Sequence, residues 1–128
     1  MLHRQVPLLD TLGIEPIEAH KGVARLRMTV DERHLRTLGM LHGGVTATLL
    51  DTALGYAVTS LAAEGFHAVT AQLNVNFTRP VSRGEVLEAT GLVLHSGSQT
   101  AVASGEVRNA DGKLIATATG TFLYLRLS

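Results

Sequence analysis

The stretch HGGVTATLLDTALGYAVTSLAA, running from His42 to Ala63, decides the fold. From Gly43 to Ala63 it spans 21 residues, and Asp51 is the only charge among them. Its length, its small and apolar content and the glycine pair at its start predict one long helix, with Gly65 marking its end. A helix that is apolar on every side belongs inside a protein. A lone carboxylate there is costly unless it is paired, neutral or used, which makes Asp51 a candidate functional group. Gly43 and Gly44 stand where free N–H groups and the positive end of the helix dipole meet, a place suited to a developing oxyanion.

The regions on either side read as strands. Gly22–Val30 alternates, with Ala24, Leu26, Met28 and Val30 on one side and Arg25, Arg27 and Thr29 on the other. In the next strand Val69, Ala71, Leu73, Val75 and Phe77 alternate with Thr70, Gln72, Asn74, Asn76 and Thr78, until Arg79-Pro80 stops the ladder. Glu85–Leu94, Thr100–Arg108 and Lys113–Leu127 complete the set, with Asn109-Ala110-Asp111-Gly112 as a hairpin turn. Val6–Leu12 is an amphipathic piece of one or two helical turns, and Asp31–Leu41 an irregular connection. The order is strand, long helix, then four strands in meander-like succession. It predicts an α+β fold in which a curved antiparallel β-sheet wraps a long central helix of about 20 residues, roughly 30 Å.

The chain has 128 residues, which fits a single domain over 1–128 with a real core. Its zero net charge gives nucleic-acid binding no electrostatic support. The absence of Cys excludes a thiolate nucleophile and disulfides, in keeping with a reducing compartment, here expected to be the cytoplasm. MLHRQVPLLDTLG lacks the apolar core of a signal peptide. Asp51 and the many Thr and Ser residues argue against Val45–Ala63 as a membrane span. His3, His20, His34 and His67 show no metal-ligand spacing, so no metal is expected. Ser104 lacks a nucleophile elbow, and no Walker or dinucleotide loop is present.

Gly43 and Asp51 lie eight residues apart on one helix, about 12 Å along its axis. A reacting carbonyl must sit roughly 3 Å from both. Two helices packed antiparallel would bring Gly43 of one copy to Asp51 of another, so a catalytic motif here predicts a twofold dimer with composite sites. Gly55, on the same helix face as Asp51, leaves room for a ligand or a second backbone.

The run Leu41-His42-Gly43-Gly44-Val45-Thr46-Ala47-Thr48-Leu49-Leu50-Asp51 resembles the HGG…D signature of the hotdog-fold thioesterases, and within them the PaaI type, which includes acyl-CoA thioesterase 13-like proteins. The resemblance continues through Val69–Pro80, Gly84, Leu94–Gly97 and Asn109–Thr121. It implies a hotdog-fold dimer or dimer of dimers that hydrolyses acyl-CoA, with CoA as part of the substrate and no other cofactor. Carried over by motif position, Gly43 N–H would polarise the thioester carbonyl. Asp51 of the other subunit would act as general base or nucleophile. His42 would position the thioester or leaving thiolate, and Thr70 would orient the attacking water. Gly44, Arg79, Pro80, His95, Ser96 and Gly97 would line the substrate. Arg36 stands six residues before His42, where many relatives carry Asn or Gln beside the thioester. Two other readings accompany this one: an acyl-CoA-binding module without turnover, and a hotdog hydratase or dehydratase working by proton transfer on the acyl chain.

Overall fold

The computed structural model describes residues 6–127; the expectation of no leader over the first residues, and His3, fall outside that range. The elements run α1 (Pro7–Leu12), β1 (Glu15–His20), β2 (Val23–Thr29), two 3-10 turns (Glu32–His34 and Thr37–Gly39), α2 (Gly43–Thr59), β3 (Phe66–Phe77), β4 (Val86–Ser96), β5 (Thr100–Asn109) and β6 (Leu114–Arg126). One antiparallel sheet carries all six strands in the order β1-β2-β4-β5-β6-β3. The sheet curves around α2, which packs against every strand.

Alternation does the work on β2, β4, β5 and β6. Leu26, Met28, Leu87, Ala89, Ala103 and Val107 point inward and are buried, while their neighbours are more exposed. They meet Leu49, Leu50, Ala53, Leu54 and Val58 from α2. Two glycines set how close the helix comes. A Cβ at Gly91 would lie 2.5 Å from the Ala53 carbonyl oxygen, and one at Gly105 the same distance from Leu54 Cδ1. These two glycines are paired across β4 and β5, so the helix rests on bare backbone two to three residues past Asp51.

Three expectations need correction. First, β1 is a sixth strand. EPIEAH has no clean alternation and contains Pro16, which is tolerated because β1 is an edge strand with a register shift between Pro16 and Glu18. Second, α2 stops at Thr59, after 17 residues rather than about 20. Ser60 Oγ donates to the Ala57 carbonyl at 2.7 Å and accepts the Gly22 N–H at 2.8 Å, while Leu61 and Ala62 turn with i→i−3 bonds. Third, only β4, β5 and β6 form a meander. β3 pairs with β6 at the opposite edge, because after Pro80 the chain crosses the end of the sheet. That crossing is held by Leu41 N–H to Val81 O, a bridge between Met40 and Ser82, and Val30 N–H to Glu85 O.

Among the described residues no helix is long and apolar enough to cross a membrane.

Candidate active site

α2 is not buried all round in the single chain. Thr46, Leu49, Leu50, Ala53, Leu54, Ala57 and Val58 are covered, whereas Thr48, Asp51, Thr52 and Gly55 are only half-buried. The half-buried side faces the edge strand β3. Two cavities flank it, and each holds a different part of the expected chemistry.

The larger cavity, about 850 Å³, contains Asp51, Thr70 and Gly55. Thr70 Oγ1 donates to Asp51 Oδ1 at 2.6 Å, so the only charge of the helix has a hydroxyl partner and a second oxygen left for a ligand. The walls are mainly apolar: Leu9, Tyr56, Phe66, Ala68 and Phe122. Burial raises the Tyr56 phenol above its ordinary value, which keeps it a neutral donor. A Cβ on Gly55 would touch Phe122 at an ordinary 3.7 Å. Gly55 therefore keeps volume open and is not forced by a clash.

The smaller cavity, about 370 Å³, contains Gly43, Arg36, Phe77, Arg79, Pro80 and Thr46. His42 is the N-cap of α2, and its Nδ1 accepts the Gly44 N–H at 2.8 Å. That bond leaves the proton of a neutral ring on Nε2, a donor free to meet a ligand. It also takes Gly44 N–H out of use. Gly43 N–H has no acceptor among the described residues, which leaves it as the open donor at the positive end of the helix. Arg36 and Arg79 are exposed and make no ion pair among the described residues, whereas Arg83 pairs with Glu32 at 2.8 Å.

The chain thus brings Thr70 to Asp51, and Arg36, Arg79 and Pro80 to Gly43, but keeps the acid and the oxyanion donor in separate cavities. His95, Ser96 and Gly97 line neither. Ser96 Oγ instead lies 2.7 Å from Tyr124 OH, whose hydroxyl reaches the Val58 carbonyl near the end of α2, and Gly97 closes the β4–β5 turn through Thr100.

Sequence reading missed three supports. The alternation of β3 puts Thr70 and Phe77 on opposite faces. The structure puts both towards α2, because a bulge at Ala71 shifts the register between Thr70 and Gln72. The Phe77 ring lies 3.4 Å from where a Gly43 Cβ would be. Buried His34 accepts Asp31 N–H on Nδ1 at 2.9 Å and reaches the Leu12 carbonyl from Nε2 at 2.7 Å. Its own carbonyl takes His42 N–H, so a core histidine anchors the loop that leads into the helix. Nothing in a lone His marks this role; the aromatic walls were equally silent, since strand aromatics are ordinary core residues.

Comparison with known proteins agrees with this geometry. The thioesterase superfamily model matches residues 38–116. The acyl-coenzyme A thioesterase PaaI of Escherichia coli K12 is 38% identical over 109 residues, covering 85% of this chain and 76% of that protein. Human acyl-coenzyme A thioesterase 13 is 36% identical over 101 residues, 78% of this chain and 71% of its own. The solved E. coli PaaI structure superposes with a TM-score of 0.90 at 32% identity, over 98% of this chain and 91% of that one. A Streptococcus mutans UA159 protein, smu.793, whose structure is bound to acetyl CoA, gives 0.81 at 29% identity, over 89% and 90%. With the family model covering the helix, its glycine start and Asp51, the chain belongs to the thioesterase superfamily and has its hotdog fold.

Proposed function

We propose that the protein hydrolyses acyl-CoA thioesters to a free acid and CoA, at sites built between two copies of the chain. The observation that carries this reading is the division of labour between the two cavities. Asp51 with Thr70 faces an apolar room sized for an acyl group. Gly43, whose N–H has no acceptor among the described residues, stands beside Arg36 and Arg79, which make no ion pair among those residues and suit the phosphates of CoA. A twofold axis across antiparallel α2 helices joins the halves, which one helix holds about 12 Å apart.

At such a site Gly43 N–H polarises the thioester carbonyl and stabilises the oxyanion. Asp51, from the other copy, either takes a proton from the attacking water or attacks the carbonyl itself, expelling the CoA thiolate to leave a mixed anhydride that water then hydrolyses to the free acid, while Thr70 Oγ holds the carboxylate or the water in place. His42 Nε2–H meets the departing sulfur. His95, Ser96 and Gly97 extend the binding of CoA. The dimers pair in turn into a tetramer; the sheet exposes Leu92, Leu94 and Leu123, apolar surface that such pairing would cover. A reducing compartment such as the cytoplasm suits a Cys-free chain that handles CoA.

A thiol-release assay over aryl and aliphatic acyl-CoAs, with wild type and Asp51→Asn in parallel, tests the reading. Turnover in wild type that is lost in the variant supports it. Tight binding of CoA esters without turnover would replace it with a binding module, and water addition to 2-enoyl-CoA with a hydratase.

A further inference from the structure

Phe77 is the largest exposed side chain beside the expected chemistry. It is 57% exposed, although β3 turns it towards α2. Its ring covers the first turn of the helix next to the free Gly43 N–H. Its other side is left open among the described residues, and β3 is one of the two free edges of the sheet.

The same strand holds Thr70, which is bonded to Asp51. Gly43 therefore travels with Phe77, and Asp51 with Thr70. Any twofold axis that brings Gly43 to the partner's Asp51 must also bring Phe77 to the partner's Thr70. The bulge at Ala71 makes this possible: without it, the odd separation would point one of the two side chains away from α2. Two elements, a helix and a strand, thus agree on one pairing.

We propose that Phe77 acts in trans: it forms the aromatic wall of the reaction site whose acid comes from the other copy. This rests on the composite thioesterase reading above. The ring closes the apolar room around Asp51 and excludes water from the hydrogen bond between Gly43 N–H and the thioester oxygen, which strengthens that bond. Phe77 thereby sets how tightly the acyl-thioester segment is held and which acyl groups fit beside it.

The test pairs Phe77→Ala with Asp51→Asn in heterodimers isolated through two different tags. Phe77→Ala alone should lower kcat/KM about ten- to hundredfold, the worth of one buried aromatic side chain, and shift acyl preference without moving the pH profile. In the heterodimer the only site with an intact acid receives Phe77 from the Asp51→Asn copy. It should turn over with wild-type KM. If Phe77 instead served the acid of its own chain, every active site would carry the alanine, and Phe77→Ala kinetics in the heterodimer would overturn the proposal.

A second measurement does not depend on activity. The chain has no Cys, so Thr70→Cys with Phe77→Cys in one chain gives two unique thiols. They stand roughly 23 Å apart along their own strand, beyond a short bismaleimide. A covalent dimer is expected; a product that stays monomeric overturns the juxtaposition. A cross-linked dimer whose wild type turns over no acyl-CoA would end the thioesterase reading and leave the placement of Phe77 standing. Wild-type turnover without the cross-link, and with Phe77→Ala kinetics in the heterodimer, would do the reverse.

Discussion

The two cavities along α2 differ in size, charge and content. The one at the middle of the helix is the larger, with apolar walls, and holds the carboxylate with its hydroxyl partner. The one at the helix start is less than half as large and holds two arginines and a backbone donor. In the proposed reaction the first supplies a base or nucleophile and space for an acyl group, and the second supplies a donor that polarises the carbonyl and charge for phosphates. Each lacks what the other has, and the proposed reaction needs both, which is why the proposal joins two copies of the chain across a twofold axis.

Substitutions should affect the two cavities differently. Asp51→Asn removes the acid and should cut kcat by about two orders of magnitude or more, with CoA binding by calorimetry unchanged. Loss of CoA binding would place Asp51 in the wrong half. Thr70→Val removes the hydroxyl that holds the carboxylate and should cost about tenfold in kcat, the scale of one hydrogen bond to a charged group. On the other side, Arg79→Ala or Arg36→Ala should raise KM for acyl-CoA about tenfold. The increase should shrink with salt and vanish for a thioester of N-acetylcysteamine, which has no phosphates. An equal effect on both substrates would take the arginines out of phosphate binding. The smallest effect is expected for His42→Ala on folding. Loss of the cap to Gly44 should cost about 1 kcal/mol in denaturant unfolding, with the effect on kcat measured separately.

Legibility in the sequence follows the same divide. Asp51 stood out because one charge in an apolar helix needs a reason, and Gly43 because paired glycines precede that helix. Strands β2, β4, β5 and β6 showed through alternation or through their turns. What stayed hidden depends on contacts between distant residues. The bulge at Ala71 has no sequence mark, yet it reverses the relative facing of Thr70 and Phe77. Strand β1 hides behind Pro16 because an edge strand needs hydrogen bonds on one side only. The place of β3 beside β6 is set by the crossing after Pro80, and local pattern favours neighbours in sequence. The close approach of α2 depends on Gly91 and Gly105 meeting across two strands, which neither glycine announces alone.

The most direct measurement is sedimentation equilibrium of wild-type protein across a dilution series, with thioesterase turnover read on the same samples. The account predicts that every active sample contains a dimer or larger assembly, and that activity per chain falls as the monomer fraction rises. A species of single-chain mass with full turnover would contradict it.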